Sequence, residues 1–396
     1  MESIRKIFQV GYGPSSSHTI GPTKAATIFK EKNKEADKFT VDLYGSIALT
    51  GKGHLTDKAL YRVFGEDLEI KFDFDTHYDF HPNGLKFYAY KEGKLIDEWL
   101  IFSIGGGELK ELGHKETIDC KEIYKQTTFN EILEYCKEHH LSLFEYIIKH
   151  EDKDILEFAK GILKAMFDSV ERGRNKEGKL SAQNKLFVKR KSKEYYDKYK
   201  KSGDFDVLVM SNALAVAEEN AEGGTVVTAP TCGSSGVMPG VLKAYYDTKR
   251  FSLDEIVRAL LVGGLVGNLI KTNGSISGAE VGCQGEIGSA CSMTAAAVLQ
   301  LFGASNDIIE YGAEIALEHH LGLTCDPVLG YVLIPCIERN AIAALRAIDA
   351  AKYAYLSDGT HYITFDMAVN SMIETGKDLK AEYKETGIGG LAKHIK

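Results

Sequence analysis

The chain reads as an α+β protein, with a small N-terminal α/β domain followed by a larger all-helical domain. Two stretches of sequence carry that reading. From Phe39 to Leu109, short β-branched and aromatic runs alternate with Gly and Asn-Gly punctuation, the pattern of strands joined by tight turns. After Phe129, long Ala-, Leu- and Glu-rich segments keep a helical period almost to the end. With 396 residues, 44% hydrophobic and 26% charged, there is apolar material for two or three cored domains. The expected divisions are residues 1–150 for the α/β domain, 151–200 for a helical connector and 201–396 for the helical domain.

Taken in order, the first element is a loop running into a helix, GYGPSSSHTIGPTKAATIF, where Pro22 suits the first turn of a helix over TKAATIFKEK. Strands are expected in FTVDLYGSIAL, LEIKFDF, LKFYAYKEG and LIDEWLIFSIGGG, and residues 81–107 read as an antiparallel meander. GSIALTGKG reads as a strand ending in a Gly-rich turn, which sets Lys52 and His54 at the mouth of the sheet. Between Glu171 and Lys201, RGRNKEGKLSAQNK breaks the helical period and marks the connector. The helices beyond it are DVLVMSNALAVAEENA, IVRALLVGGLVGNLI, SMTAAAVLQLFG and IERNAIAALRAIDAAKYAYL. No fixed-period repeat and no low-complexity tract interrupts them.

Charge and composition remove whole classes of function. A net charge of −8 offers no positive field for nucleic acid, and the basic run KLFVKRKSKEYYDKYKK reads as a solvated helix or connector. The start, MESIRKIFQVGYG, lacks the apolar core of a secretory signal, and ALLVGGLVGNLI is too short and Gly-broken to cross a bilayer. A cytoplasmic protein without nucleic-acid or membrane partners is expected. Seven cysteines without a secretory signal are expected to be reduced, which leaves metal ligation, catalysis or burial as their roles. Cys120 and Cys136 lie in Lys/Glu-rich amphipathic stretches and read as small buried apolar residues.

Three other thiols carry chemistry. Cys283, Cys325 and Cys336 each sit in a Gly-, Pro- or acid-flanked loop ahead of a helix-like run, in EVGCQGEIGSAC, LGLTCDPVLG and VLIPCIERNA. Three such thiols without a fourth of the same kind suggest a metal site with one position open for substrate, and hence Lewis-acid catalysis. Two loops, GYGPSSSHTIGP and TAPTCGSSGVMPG, place Gly and hydroxyl residues before a helix start, where free amides can hold a carboxylate or phosphate. An ordinary capped turn has the same composition. The density of Ser15, Ser16, Ser17 and Thr19 around His18 favours a binding role for the first loop. His54 is a candidate general base, its ordinary pKa lying near neutrality, although a histidine on a surface turn is common. In KTNGSISGAEVGCQGE, Ser275, Ser277 and Gly278 lie close enough in sequence to Cys283 to supply hydrogen-bond donors to the metal centre or substrate, with Lys271 and Glu280 as the titratable members. A close helix crossing would use the same small residues.

Together, GPSSSHTIGP, GSIALTGKGH, SIGGG, AEGGTVVTAPT, SISGAEVGCQGEIGSACSM, LEHHLGLTCDPVLG and IPCIERNAIAA resemble the bacterial iron-sulfur-dependent L-serine dehydratases of the single-chain type, with fused β and α domains. The resemblance runs in order from about residue 8 to the terminal GGLAKHIK. It implies a 4Fe-4S cluster held by Cys283, Cys325 and Cys336 with one open iron, and no pyridoxal phosphate, whose alternating strand-helix scaffold the second half lacks. Cys291 and Cys232 then fall outside the ligand set, with Cys232 as a residue lining the site. The implied reaction takes L-serine to pyruvate and ammonia. Iron activates the hydroxyl, and His54 removes the Cα proton with His18 as alternate base or hydrogen-bonding partner. Ser15, Ser16, Ser17 and Thr19, together with backbone around Ser275, Ser277 and Gly278, grip the carboxylate in a site between the domains.

The resemblance carries one departure. Members of that family often end in a cysteine whose tail caps the open iron, whereas this sequence stops at HIK. His394 or the terminal carboxylate would have to take that place, or the iron is open to water and the cluster more readily lost to oxygen. A cysteine desulfidase with the same cluster, or a non-enzymatic iron-sulfur or zinc sensor, are the other readings. The Ala-rich helices suggest a homodimer.

Overall fold

The computed structural model describes residues 1–114, 121–182, 186–248 and 250–395, so Cys120 lies outside the described residues. The chain opens with strand β1 (Val10–Tyr12) and a π-helical turn, Ser16–Ile20, that runs into helix α1 (Gly21–Lys32) with Pro22 in its first turn. Strand β2 (Lys38–Gly45), helices α2 (Ser46–Thr50) and α3 (Thr56–Phe64), and strands β3 (Glu69–Asp73), β4 (Asn83–Lys91), β5 (Lys94–Ser103) and β6 (Leu109–Glu111) follow. Their sheet has the order β3-β2-β4-β5-β6, with β2 and β3 parallel and the other pairs antiparallel. The β4-β5-β6 meander is the one the sequence predicts. Its first turn, Glu92-Gly93, has φ of 49° and 77°, the double left-handed geometry that matches strand twist. Leu85, Phe87 and Ala89, two residues apart on β4, point to one face. There they pack with Val41, Leu43 and Ile101 beneath Ala25, Ala26 and Phe29 of α1 and Leu60 of α3.

GSIAL departs from its strand expectation. Gly45 takes φ +59°, and a Cβ there would lie 2.2 Å from the Pro82 carbonyl oxygen. Only glycine lets the chain leave β2 in this direction, so the next five residues coil into α2 and His54 follows a helical turn rather than a strand.

The helical body contains α4 (Phe129–His139), α5 (Leu143–His150), α6 (Ile155–Arg174), the hairpin β7 (Lys179–Ala182) and β8 (Leu186–Lys189), α7 (Ser192–Ser202) and α8 (Phe205–Ala221). Strand β9 (Thr225–Val227) then leads to α9 (Val237–Asp247), α10 (Leu253–Asn273), α11 (Gly278–Val281), α12 (Ser289–Leu301), α13 (Asn306–Glu318), α14 (Cys336–Leu356) and α15 (Phe365–Asp378). Helices α10 and α12 are apolar around most of their circumference, and they run through the middle of the core.

Two main hydrophobic cores run through the chain. Met1, Ile4, Ile7, Phe8 and Tyr124 belong to the helical core, as do α4 and α5, so the sheet's own core spans only Ala25 to Leu109. The region expected to be a connector is part of the body. Ile155, Ala159, Ile162, Leu163, Met166 and Val170 form a buried stripe along α6, at the three-to-four spacing of a helix face. The polar run after it folds back as the β7-β8 hairpin, and α7 is anchored where Ser192 donates to Glu218. Strand β1 pairs antiparallel with β9, Val10 opposite Val227. That ladder draws the Gly/Ser loop of the N-terminal part against the Gly/Ser loop of the helical body.

Helix α13 turns two carboxyls inward. Glu310 accepts the Phe365 amide and lies 2.8 Å from His361 Nε2. Glu314 Oε1 has no hydrogen-bond partner among the described residues. Burial first, and Glu318 beside it second, push the Glu314 pKa up from 4.5 to about 8. A carboxyl raised in the folded state binds more protons folded than unfolded between these values, so its contribution to stability is lost as pH rises from 4.5 toward 8. Glu314→Gln is therefore expected to melt about 2 °C or more above wild type at alkaline pH, with the gap closing toward acid pH, as followed by circular dichroism.

Candidate active site

One buried cavity takes its walls from both parts of the chain. Ser15 and His54 approach from the N-terminal side, Cys283, Cys325 and Cys336 from the helical side, and Glu385 from the C-terminal segment. Each thiol is held at an element end. Cys283 lies between α11 and the π-helical turn Gln284–Gly288, Cys325 in the loop after α13, and Cys336 at the first position of α14. A helix start presents unpaired amides and the positive end of the dipole, which suits a thiolate. The Cys325 loop is tied to the C-terminal segment by two backbone bonds, Cys325 N–H to Tyr383 O and Glu385 N–H to Cys325 O, each 2.8 Å. Ser46 Oγ of α2 in turn donates to the Glu385 carbonyl, so the same segment clasps both sides of the cavity.

The thiols differ in acidity. A hydrogen bond from Cys325, followed by the Arg339 guanidinium, holds the Cys283 thiol down to about 6 despite its burial. Cys325 is pushed well up by that same bond and by burial, and Cys336 is raised by burial and by the charge on Cys283. The first thiolate therefore forms at Cys283, with Arg339 as its counter-charge; Arg339 is held in place by donating to Thr324 O at 2.7 Å. Three thiols, Cys283 and Cys325 buried and Cys336 half-buried, with no fourth among the described residues that line the cavity, make a donor set that fits a soft metal centre with one position left for another ligand. Gly278 keeps that space open: a Cβ there would stand 3.2 Å from Cys325 Sγ and 2.7 Å from Glu286 Oε2. Cys291 donates its thiol to the Ala343 carbonyl at 3.4 Å, and Cys232 packs with Val170, Ala215, Val216 and Val226. Neither lines the cavity. Among the described residues every cysteine is free.

On the opposite wall two imidazoles meet, with ring centres 4.5 Å apart. His54 lines the cavity and His18 sits behind it, wholly buried. Burial lowers the His54 pKa to about 4 and holds His18 well below its ordinary value, with His54 as the second cause for His18. Both rings are neutral at physiological pH. Ser17 Oγ and Ser15 Oγ lie 3.0 and 3.3 Å from His18 Nδ1. Thr19 donates its hydroxyl to the Tyr12 and Ser15 carbonyls, and the Ser16 carbonyl accepts from the Gly21 amide, so of these four only Ser15 borders the cavity. Ser275 donates to Glu280, on a separate cleft beside His81, while Ser277 Oγ is buried with no partner among the described residues. The second Gly/Ser loop reaches the same cavity as the first through Gly233, where a Cβ would stand 3.4 Å from Glu286 Oε1.

Four residues at the site escape the sequence reading. Glu286 stands half-buried against the thiols, with desolvation and then the charge on Cys283 pushing its carboxyl well up. Glu385 is raised to about 8 by burial and then by Cys283. Arg339 and Thr50 complete the group. Glu286 had a signal in its position three residues after Cys283, and Arg339 in the matching position after Cys336; Glu385 and Thr50 had none. The tail residue that enters the site is thus Glu385, while His394 is exposed.

Fold and site together define a two-part enzyme in which an N-terminal sheet domain supplies imidazoles to a thiol-bearing helical body. Residues 3–64 match the family described as Serine dehydratase beta chain, and residues 85–392 match Serine dehydratase alpha chain. The chain belongs to the serine dehydratase family. It is 38% identical to L-serine dehydratase 2 of Escherichia coli, with 100% of this chain and 99% of that protein covered. It is 39% identical to L-serine dehydratase of Streptomyces coelicolor, with 99% of each covered. L-serine dehydratase of Helicobacter pylori is 37% identical over 100% of this chain and 99% of its own. No helix among the described residues is long and apolar enough to cross a membrane.

Proposed function

We propose that this protein eliminates water from L-serine, yielding pyruvate and ammonia, at the cavity between His54 and the three thiols. The observation that carries the reading is the placement of a neutral buried base opposite Cys283, Cys325 and Cys336 in one enclosed space. Family membership over both halves of the chain supports it. These cysteines would hold a 4Fe-4S cluster, which when bound supplies Lewis-acid activation of the serine hydroxyl at its open iron. The protein's own groups do the rest. Ser15 borders the space where the substrate carboxylate is held. His54 takes the Cα proton as the hydroxyl departs, and Glu286, whose carboxyl burial pushes well up, is the group placed to give the departing hydroxide a proton so that it leaves as water. The aminoacrylate left behind tautomerises to the imine and hydrolyses to pyruvate and ammonium, with no net redox change.

A reducing, cytoplasmic setting and a homodimer belong to the same reading. Free cysteines support the first. Exposed Tyr353, Leu356 and Tyr362 near the end of α14 support the second, which analytical ultracentrifugation decides.

The test is pyruvate formation from L-serine by protein reconstituted with iron and sulfide under anaerobic conditions, beside Cys325→Ala. Pyruvate from the wild type alone is the expected result. An iron-loaded protein that makes none, but releases sulfide from L-cysteine, would instead support desulfidation. Absence of turnover on either substrate would support a sensor.

A further inference from the structure

Thr50 lies behind the cavity wall, between the two imidazoles of the site. Thr50 Oγ1 stands at the meeting point of three groups: the Ser46 carbonyl at 2.9 Å, His18 Nε2 at 3.0 Å and His54 Nδ1 at 3.0 Å. A hydroxyl has one proton and two lone pairs. A carbonyl only accepts, so the single Thr50 proton goes to Ser46 and both ring nitrogens must donate to Thr50. His18 agrees independently. Its Nδ1 lies beside the Ser17 and Ser15 hydroxyls, which can donate to a lone pair.

Resting on the proposed dehydratase reading, we infer that Thr50 is a positioning residue that locks His54 as the Nδ1–H tautomer and so leaves Nε2 as a bare lone pair for the Cα proton. A neutral imidazole carries one N–H, and the Thr50 contact places it on Nδ1. Nε2 makes no hydrogen bond to a described residue, and His54 lines the cavity. The other tautomer would turn an N–H toward the substrate and could not accept a proton. Thr50 itself is held by its bond back to Ser46 one helical turn earlier, and α2 exists because Gly45 turns the chain out of β2. Glycine, helical turn and threonine thus act through one another on a single ring nitrogen.

Thr50→Val keeps the shape and removes the acceptor; Thr50→Ser keeps the hydroxyl. With holoenzyme, Thr50→Val is expected to lower kcat for L-serine about 10²-fold with KM changed less than about threefold, and its deuterium isotope effect at Cα to rise. Thr50→Ser is expected to recover kcat to within about threefold of wild type. Nitrogen-15 NMR of histidine-labelled protein, recorded without turnover, is expected to show His54 protonated at Nδ1 in wild type and to lose that signature in Thr50→Val. A Thr50→Val enzyme with wild-type kcat, or wild-type His54 carrying its proton on Nε2, would overturn the inference. The NMR result on wild type stands even if Thr50→Val fails to fold. If wild type makes no pyruvate, the dehydratase reading fails while the tautomer assignment is still decided.

Discussion

Replacing Cys283 by alanine is expected to abolish serine turnover and to remove iron and visible absorbance from the reconstituted protein together. Cys283 is the thiol that ionises first, because Cys325 donates to it and Arg339 sits beside it. Without it the site keeps two thiols whose protons burial holds in place, and a guanidinium that loses the thiolate and keeps only Asp326, 3.7 Å away, as its counter-charge. Cys291→Ala is the internal contrast. Cys291 is equally buried, yet it donates to the Ala343 carbonyl away from the cavity, so iron content and turnover should stay near wild type. Metal analysis and the pyruvate assay on the same samples read both variants. Retention of iron by Cys283→Ala would remove this cysteine from the ligand set.

Glutamine in place of His54 is expected to lower kcat about 10³-fold while leaving iron content unchanged, since a general base contributes on the order of 10²–10⁴. Glutamine keeps a polar group beside Thr50 and so limits the disturbance to packing. His18→Gln is expected to cost less, because His18 lies behind His54 and does not border the cavity. The pH profile carries the same assignment. Burial holds His54 near 4, well below its ordinary value of 6.5, so the base remains available as pH falls through 6 and is lost by protonation only toward 4. An acid limb of kcat/KM near 6.5 that disappears in His54→Gln would contradict the buried, neutral imidazole described above.

Local signals carried much of this protein into view. The period-two runs at Leu85, Phe87 and Ala89 and the helical runs after Phe129 are burial patterns that a strand or helix must show whatever surrounds it. The three thiols stood out by type and by flanking Gly, Pro or acidic residues and His54 by the Gly-rich turn before it, and the fold brings all four to one cavity. Serine-rich sequence around His18 was legible as a cluster, but not the division within it. Ser15 reaches the cavity, whereas Thr19 is consumed by main-chain carbonyls; the π-helical turn decides this by rotating each side chain to a different side.

By itself, then, the sequence brought out the two structural classes, the candidate thiols and histidines and the family resemblance, because each rests on residue identity and short-range spacing. Only the tertiary structure decided where the domains divide, since Met1 to Phe8 read as a polar-punctuated start yet bury in the helical core more than a hundred residues away. It alone placed Glu385 beside His18 and His54, and Thr50 between the two rings. Those positions depend on a glycine turn at Gly45 and on backbone bonds between Cys325 and a segment some sixty residues later. No local pattern encodes a contact of that range; it forms only when the buried carbonyls, amides and hydroxyls of distant segments satisfy one another.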